Sequence, residues 1–562
     1  MLTQSELRDL AELLYPDTTE TPADLEAKYP PRDLPESAIV TRFAPSPTGY
    51  VHIGGIYASL ISKLLAEQSD GVFFLRIEDT DQARKVAGGT EAIIAALQNF
   101  QVAPTEGFVS AEKQQGDYGP YLQSERIKIY AVFAKWMVAH GLAYPCFCSR
   151  EELEQNVQEQ EAAGLLKKGY YGKWAKHRDL SLDEIKQQLA QGNEFVLRIR
   201  APQESRKIRI KDLVRGKLEF ENNVFDMVLI KSNGLPTYHF AHVIDDHLMR
   251  TTHISRGEEW LSSLPLHLQL FEMLEIPQPT YMHFSHIGKK EGDSVRKLSK
   301  RQDPEATVGS YVEQGYYPVA VLEYLLNLAN SNFSDWRRNN PDKPYTEFLF
   351  DPRKIGKTIA LFDLKKLEHI SRDVVSKLKA EDVYQAVLAW ARQFSPAFAT
   401  YLETYPEYSV GIFNIERNQP QPRKDIVTWS DVPELFGYFY DELFAKSDGT
   451  AAYEKLIVSP EDAIVALRKS IDTYDPADSQ EAWFEKHQLV AEQLGYARDL
   501  KSFKAEPDSF KGHIGHVMAA FRVALTHQLN TPDLHQLMQV MGRERVVERL
   551  WGAIGYFEAK AE

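Results

Sequence analysis

Ala38-Ile39-Val40-Thr41-Arg42-Phe43 is a short β-rich run, and the loop from Ala44 to Gly49 that follows it is rich in proline and glycine. A helical pattern from about Gly54 to Glu67 then leads to a second β-rich run, Val72-Phe73-Phe74-Leu75-Arg76-Ile77. Buried parallel strands are short and almost continuously apolar, and a strand, a crossover helix and a strand form a βαβ unit. The sequence therefore predicts an α/β fold whose doubly wound sheet begins near residue 39.

The chain on either side of this unit has different patterns. Residues 1–38 carry leucines at helical spacing up to Pro16 and then a polar stretch, which we expect to be an extended lead-in packed against the domain that follows. Residues 118–237 break into helices and short β runs, which indicates an insertion into the sheet. A βα signal returns from about Thr237 to Leu274, and after about residue 300 the patterns are almost all helical. The predicted helices in these regions are Glu125 to His140, Ser149 to Leu165, Ser181 to Gln191, Val319 to Asn327, Ala380 to Gln393, Pro460 to Thr473 and Glu481 to Leu494, with a β run from Phe195 to Ile199.

Length and composition limit the classes of protein that fit. A chain of 562 residues is too long for one core, and 43% hydrophobic with 26% charged residues is typical of globular proteins. The net charge of −15 argues against a protein that coats nucleic acid indiscriminately, but not against one specific nucleic-acid partner. No apolar run approaches the ~18 residues of a membrane span, the first residues lack the features of a secretory signal, and the only cysteines are Cys146 and Cys148. We therefore expect a cytoplasmic protein that does not span a membrane.

The segment from Arg42 to Gly55 carries the strongest chemical signal. Two prolines stiffen the loop, while Gly49, Gly54 and Gly55 let the backbone approach a ligand closely. The start of the following helix offers free N–H groups and the positive end of the helix dipole, which suit a phosphate, and His52 adds a side-chain donor beside them.

A second signal lies about 245 residues further on, at Lys297-Leu298-Ser299-Lys300-Arg301, after the flexible stretch Glu291-Gly292-Asp293-Ser294. Two lysines that flank a hydroxyl on a mobile loop suit the charge of a polyphosphate. Such a run by itself is most often a solvated basic loop. Its position after the first segment favours a loop that binds polyphosphate instead.

The two segments resemble the HIGH and KMSKS signatures of class I aminoacyl-tRNA synthetases, and the surrounding sequence resembles the glutamyl-tRNA synthetases. The Ala-Pro-Ser-Pro-Thr-Gly spelling of the loop is the glutamyl form, whereas glutaminyl enzymes usually have Pro-Pro-Glu-Pro-Asn-Gly there. The helical C-terminal half is similar to the bacterial type. The other matching segments are Arg76-Ile77-Glu78-Asp79-Thr80-Asp81, Pro236-Thr237-Tyr238-His239, Val243-Ile244-Asp245-Asp246-His247-Leu248-Met249 and Arg256-Gly257-Glu258-Glu259-Trp260.

This resemblance implies a domain plan and a reaction. The plan is an N-terminal extension at 1–38, which typical members lack, a Rossmann-type catalytic domain at 39–117 and 238–292, an α+β acceptor-binding insertion at 118–237, a stem-contact region with the KLSKR loop at 293–375, and an α-helical anticodon-binding domain at 376–562. The reaction joins L-glutamate to tRNA(Glu) through a glutamyl-adenylate made from ATP, and Mg²⁺ accompanies ATP without a protein cage. We expect a monomer.

The resemblance also implies the site residues. Catalysis falls to His52, Lys297 and Lys300, which would stabilise charge as pyrophosphate leaves. Glutamate needs an anion for its ammonium and cations for its carboxylates, which planar arginines supply best. The implied glutamate-binding residues are Arg42, Ser46, Glu78, Tyr238, His242 and Arg256; the implied ATP-binding residues are His52, Gly54, Gly55, Glu259, Trp260 and Lys300; and Arg423 lies near the position of an anticodon-contacting arginine.

Two departures from the family pattern matter. His242 stands where the family often has Asn, and one hypothesis is that its protonated form strengthens glutamate binding; the alternative is a neutral spacer without substrate contact. The bacterial family often binds zinc through Cys-x-Cys and Cys-x-His, but here Ala175 stands at the third cysteine, beside Cys146, Cys148 and His177. Three ligands make a poor structural site, so we expect no zinc.

Several alternatives remain at the sequence level. A glutaminyl-tRNA synthetase conflicts with the two-arginine pocket, and a glutamyl-queuosine tRNA synthetase conflicts with the ~190 residues after 375, since that class lacks an anticodon domain. A non-catalytic tRNA-binding paralogue would be expected to have lost His52, Glu78 or Lys300. Whether the enzyme also charges tRNA(Gln) stays open.

Overall fold

The computed structural model describes residues 2–49, 51–110, 112–299 and 301–561. The chain forms two compact units: the first comprises Met1–Ser310 and Leu322–Asp363, and the second Tyr311–Val321 and Leu364–Glu562. Within the described residues, no helix combines the length and the apolar character that a membrane crossing requires.

The first unit contains all the strands of the described residues. The strands are β1 Val40–Phe43, β2 Val72–Leu75, β3 Glu106–Ser110, β4 Lys113–Gln115, β5 Ala143–Cys146, β6 Val196–Ile199, β7 Lys207–Asp212, β8 Gly216–Glu221, β9 Val228–Ile230, β10 His253–Gly257, β11 Thr280–Phe284, β12 Ile287–Glu291, β13 Ser294–Lys297 and β14 Ala360–Leu361. Its helices are α1 Gln4–Leu14, α2 Pro22–Lys28, α3 Ile53–Glu67, α4 Gly89–Asn99, α5 Ile127–Ala139, α6 Arg150–Ala162, α7 Leu182–Ala190, α8 Tyr238–Leu248 and α9 Leu264–Met273; α10 Val308–Gln314 and α11 Pro318–Ala329 have residues in both units, and α12 Asn332–Asn339 lies in the first.

The predicted α/β sheet is confirmed. β1 pairs in parallel with β2, with Val40 opposite Val72, and β2 pairs in parallel with β3. β10 and β11 form another parallel pair, and Thr252 joins them to β1 by donating its N–H to the Val40 carbonyl at 3.0 Å. The order is therefore β11-β10-β1-β2-β3-β4, and the chain leaves the sheet in opposite directions from β1 and β10. Ligands bind at the carboxyl ends of the strands beside such a switch point.

The insertion is α+β, as predicted. β5, β6 and β9 form an antiparallel sheet, and β7 and β8 form a separate hairpin. The hairpin reaches back to the main sheet, since the Leu213 N–H donates to the Tyr281 carbonyl at 3.0 Å.

The N-terminal segment packs on the first unit, as predicted, but it is not wholly extended after α1. α2 begins at Pro22 behind a capping box of Thr21 and Asp24, because proline suits the first helical position and Thr21 satisfies free N–H groups. The Arg32 guanidinium then forms two hydrogen bonds with the Glu106 carboxylate, at 2.7 and 2.8 Å, and donates to the Met249 carbonyl.

The second unit is helical. Its helices are α13 Leu364–Ser376, α14 Ala380–Phe394, α15 Pro396–Thr404, α16 Pro406–Asn414, α17 Val432–Phe436, α18 Asp441–Phe444, α19 Thr450–Tyr453, α20 Pro460–Thr473, α21 Gln480–Gln493, α22 Leu500–Ala505, α23 Ile514–Thr526, α24 Leu534–Met541 and α25 Arg543–Ala561. α13 belongs to this unit, because Val375 is part of its core and Ser371 donates to the Val427 carbonyl at 2.6 Å. The predicted anticodon-binding domain at 376–562 lies within the unit, and its exact boundary stays a prediction.

Candidate active site

A cavity of about 400 Å³ opens at the carboxyl ends of β1 and β10, beside the start of α3. It takes residues from the loops after both strands, from α3 and from the β12–β13 hairpin. The lining residues are Arg42, Phe43, Ala44, His52, Gly54, Gly55, Tyr57, Ala58, Glu78, Tyr238, Ser255, Arg256, Gly257, Glu259, Trp260, Phe284, His286, Ile287, Lys297 and Leu298. The fold thus brings together the two signature segments that lie far apart in the sequence.

His52 joins those segments directly. Its Nδ1 accepts the Gly54 N–H at 2.9 Å and so caps α3. Nδ1 therefore carries no proton in the neutral ring, and Nε2–H donates to the Leu298 carbonyl at 3.2 Å. Both ring nitrogens are engaged, so the donor predicted beside the phosphate seat already has a protein partner. A Cβ at Gly54 would lie only 3.0 Å from Nδ1, which explains the glycine there.

The lysine loop is held by a buried carboxylate. Asp303 accepts the Ser299 N–H at 2.9 Å and two guanidinium hydrogens of Arg296, and these bonds hold the pKa of its carboxyl far below the usual range. Lys297 Nζ lies 3.0 Å from Glu259 Oε1 across the cavity. Lys300 falls outside the described residues, so its role stays a prediction.

Buried charges of both signs lie at the cavity: Arg42 and Glu78 line it, and Arg76 and Asp246 lie behind them. The Arg42 Nε lies 3.0 Å from Asp246, Arg76 lies 2.8 Å from the same carboxylate, and Arg76 also holds Glu78 at 3.0 Å. Burial raises the pKa of the Glu78 carboxyl, against the attraction of Arg76 and Arg42. The two arginines hold the pKa of Asp246 well below its ordinary value despite its burial. Asp246 is thus a structural counter-charge.

Aromatic side chains also line the cavity. Tyr238 begins α8, and its ring centre lies 4.5 Å from that of Trp260. The Tyr238 hydroxyl accepts from Arg256 at 3.2 Å. Burial raises the pKa of this hydroxyl, so it stays protonated at neutral pH.

Two predicted glutamate-binding residues lie outside the cavity. Ser46 is exposed in the loop after β1. His242 lies one helical turn behind Tyr238 with no exposed surface, and burial lowers its pKa to about 3. Its Nδ1 is 3.0 Å from Asp246 Oδ2, outside hydrogen-bonding geometry, and its Nε2 is 3.2 Å from the Tyr281 hydroxyl. The burial and the lowered pKa favour the neutral alternative, because desolvation outweighs the attraction of Asp246, and a protonated His242 stays an untested hypothesis.

Sequence reasoning missed several lining residues, among them Ser255, Phe284 and His286. Phe284 ends β11 and His286 follows it, beside β10 and its Arg256. Parallel strands end at the same edge of a sheet, so the position of these residues after a third strand of the sheet was the available signal.

Comparison with known proteins identifies the family. Residues 38–368 match the model of class I tRNA synthetases (E and Q), catalytic domain, and residues 500–554 match an anticodon binding domain. A glutamate–tRNA ligase of Sorangium cellulosum is 46% identical over 96% of this chain and 99% of its own length, and one of Clostridium perfringens is 45% identical with the same coverage. The chain belongs to the glutamate–tRNA ligase family.

Solved structures of the family agree. A crystal structure of a glutamate–tRNA ligase from Elizabethkingia meningosepticum, in complex with its amino acid, has a TM-score of 0.74 and 30% identity, and covers 92% of this chain and 99% of its own. The Sorangium and Clostridium ligases match 96% of the 562 residues and so leave fewer residues uncovered than the 38 of the N-terminal extension. Part of the extension is therefore shared with these two ligases, and its absence from typical members stays a prediction.

Three candidate metal ligands lie close together in the insertion. The ligand atoms of Cys146, Cys148 and His177 all lie within 4.8 Å of one another. His177 Nδ1 accepts the Phe147 N–H at 3.0 Å, and a closed zinc site wants a fourth ligand. Among the described residues, no further His, Cys, Asp or Glu joins the cluster. The residues fit a structural zinc poorly, and its absence stays a prediction.

The second unit holds the residue predicted at the anticodon. Arg423 lines a cavity of about 530 Å³ with Arg522 and Trp483. Its guanidinium donates to Asp425 at 2.7 Å and to the Thr531 carbonyl at 2.7 Å.

Proposed function

We propose that the cavity of the first unit binds L-glutamate and ATP side by side and forms glutamyl-adenylate. A carboxylate oxygen of glutamate attacks the α-phosphorus of ATP, and the bond to the β-phosphate breaks, which releases pyrophosphate. A ribose hydroxyl at the end of tRNA then takes the glutamyl group and AMP leaves. The overall reaction is the ligation of glutamate to tRNA, the activity named for the relatives of this chain.

The observation that carries the glutamate assignment is the meeting of one buried anion and two buried arginines in one cavity. Glu78 suits the substrate ammonium, while Arg42 and Arg256 suit its carboxylates. Tyr238 and Trp260 would cover the bound amino acid. Proximity and orientation, rather than a covalent enzyme intermediate, supply the rate enhancement.

The ATP assignment rests on the start of α3 and on the facing hairpin. The start of α3 presents the positive end of the helix dipole, which favours phosphate. Lys297, with Lys300, would neutralise the charge that develops as pyrophosphate departs, and Glu259 and Trp260 line the same cavity. Mg²⁺ would be bound by the phosphates of ATP and supply further positive charge there.

The remaining parts are assigned to tRNA(Glu). We propose that the insertion at 118–237 contacts the acceptor end, that 293–375 contacts the stem, and that the helical part at 376–562 reads the anticodon. The cavity beside Arg423 combines Arg423 and Arg522 with the exposed ring of Phe484, which suits unstacked bases. We also propose that the enzyme is a monomer and that it is cytoplasmic.

An ATP–pyrophosphate exchange assay tests this function. We expect exchange with glutamate and not with glutamine, measured with and without tRNA(Glu), and transfer of labelled glutamate to tRNA(Glu). Absence of exchange under both conditions would identify a non-catalytic tRNA-binding protein. Charging of tRNA(Gln) with glutamate in the same assay would identify a non-discriminating enzyme.

A further inference from the structure

The hydrogen bonds of Arg256 are all to neutral groups. Its Nε donates to His283 Nε2 at 2.9 Å, and Nη1 lies 3.2 Å from the Tyr238 hydroxyl. Nη1 and Nη2 both lie 3.4 Å from Nδ1 of His267, and the guanidinium stands 4.9 Å from the ring centre of Tyr281. In the described part of the chain no carboxylate forms an ion pair with Arg256, although only 6% of this residue is exposed.

The other arginines near the cavity are compensated. Arg42 and Arg76 share Asp246, and Arg76 also pairs with Glu78 and Asp245. Arg126 pairs with Asp245 as well, so three positive charges meet three negative ones. Among the described residues, Arg256 is thus a cation beside the cavity that has no paired anion. Glutamate carries two carboxylates and one ammonium, so its net charge complements this site, whereas the net charge of glutamine is zero.

His283 can accept from Arg256 in only one tautomer. Arg256 and His283 are register partners on the parallel strands β10 and β11, so their side chains meet on one face. Arginine only donates, so His283 Nε2 carries no proton and Nδ1–H donates to Asp212 Oδ2 at 2.7 Å. Asp212 also accepts the N–H groups of Val214 at 2.9 Å and Arg215 at 2.8 Å, which fix its orientation.

We propose that His283, held in this tautomer by Asp212, is a positioning residue that aims Arg256 at a carboxylate of bound glutamate. The arrangement fixes Arg256 through a neutral acceptor instead of a carboxylate, so the guanidinium is oriented while its charge is left for the substrate. This inference rests on the proposed role of Arg256 in binding glutamate. Burial lowers the pKa of His283 and takes that of His239 to about 4, which keeps the imidazoles around Arg256 neutral at physiological pH.

A matched pair of variants of the full chain tests the proposal. His283→Gln places an amide oxygen near the position of Nε2 and can still accept from Arg256. His283→Asn places its amide near Nδ1 and keeps the Asp212 contact, but loses the one to Arg256. We expect the KM for glutamate to rise roughly tenfold or more in His283→Asn, with partial rescue in His283→Gln and an unchanged KM for ATP. His253→Asn, on the same strand as Arg256 but away from it, is the control for loss of an imidazole.

Equal effects of Gln and Asn on the KM for glutamate would overturn the proposal, because a role in packing alone does not distinguish them. If His283→Asn does not fold, Asp212→Asn decides the matter. Its amide would favour the other tautomer and turn Nε2–H against the Arg256 donor. A raised KM for glutamate in that variant supports the proposal, and a normal KM overturns it.

Arg256→Lys, assayed in parallel, separates this inference from the proposed function. A normal KM for glutamate in Arg256→Lys would refute the role of the arginine itself. A raised KM there, together with equal effects of His283→Gln and His283→Asn, would refute only the positioning role.

Discussion

Asp246 engages one edge of the Arg42 guanidinium before any ligand arrives, at 3.0 Å from Nε. A lysine at this position would keep the charge but could not hold Asp246 and a substrate carboxylate in a fixed planar geometry. We therefore expect Arg42→Lys to lower kcat/KM for glutamate roughly tenfold to a hundredfold, measured by pyrophosphate exchange. Arg84→Lys, which changes an exposed arginine, is the control. A near-normal kcat/KM in Arg42→Lys would mean that Arg42 only balances Asp246.

The pH dependence of the KM for glutamate also depends on single residues. His242 has a pKa of about 3 and stays neutral from about pH 6 to 8, so the KM for glutamate should have the same pH dependence in the parent and in His242→Asn. Burial raises the pKa of Glu78, and its anionic form is lost as the pH falls through that pKa. We expect the KM for glutamate to rise on the acid side in both proteins. A profile that changes shape in His242→Asn would restore the charge hypothesis.

At the scale of the element, the β12–β13 hairpin carries the lysine loop and Asp303 pins its end. Lys300→Ala should lower the rate of adenylate formation much more than it weakens glutamate binding, because the charge matters most as pyrophosphate departs. Pre-steady-state measurement of pyrophosphate release gives the rate. An unchanged kcat with only a raised KM for ATP would refute this role of Lys300.

Asp303→Asn tests the hairpin rather than the lysine. The variant keeps the size of the side chain but loses the charge that holds Arg296, so the loop should become less ordered and kcat should fall with little change in the KM for glutamate. The carboxyl has a folded pKa below its unfolded value, so its stabilisation is complete above the ordinary pKa and is lost as the pH falls below it. A normal kcat in Asp303→Asn would show that the loop keeps its order without this anion.

The sequence predicted elements whose signals are local. β1, α3 and β2 lie within one or two residues of their predicted bounds, because apolar periodicity and the proline- and glycine-rich loop mark them directly. It did not predict α2, since the nearby prolines suggested extended chain, nor the pairing of β12 with β14, whose partner lies about 70 residues further on. The cavity residues that the resemblance implied were largely found, but Asp246, Arg76 and His283 act through contacts between distant segments that no local pattern encodes.

At the scale of the whole molecule, the N-terminal segment joins parts of the first unit that are remote in sequence. α1 packs on α5, and Arg32 pairs with Glu106 in β3. Glu26 forms ion pairs with His247, near the end of α8, and with Arg250, just after it. Arg32→Ala would leave Glu106 poorly compensated and remove the cation 3.9 Å above the Tyr118 ring. We expect the melting temperature to fall by about 5 °C with unchanged KM values for glutamate and ATP. Arg8→Ala, an exposed change on α1, is the control, and an equal effect of both variants would refute this role of Arg32.

Under the proposed function, the hydrogen bond from His52 to the Leu298 carbonyl bears on each turnover. A nucleotide phosphate that takes the Nε2 hydrogen must first displace a carbonyl, and a buried carbonyl without a partner costs about 1–3 kcal/mol. The Leu298 carbonyl therefore competes with the nucleotide phosphate for the Nε2 hydrogen of His52. The same competition favours the departure of AMP, because the carbonyl regains its donor as the product leaves. This competition lowers the affinity for the nucleotide below what its contacts alone would give. The lower affinity allows rapid release of the product.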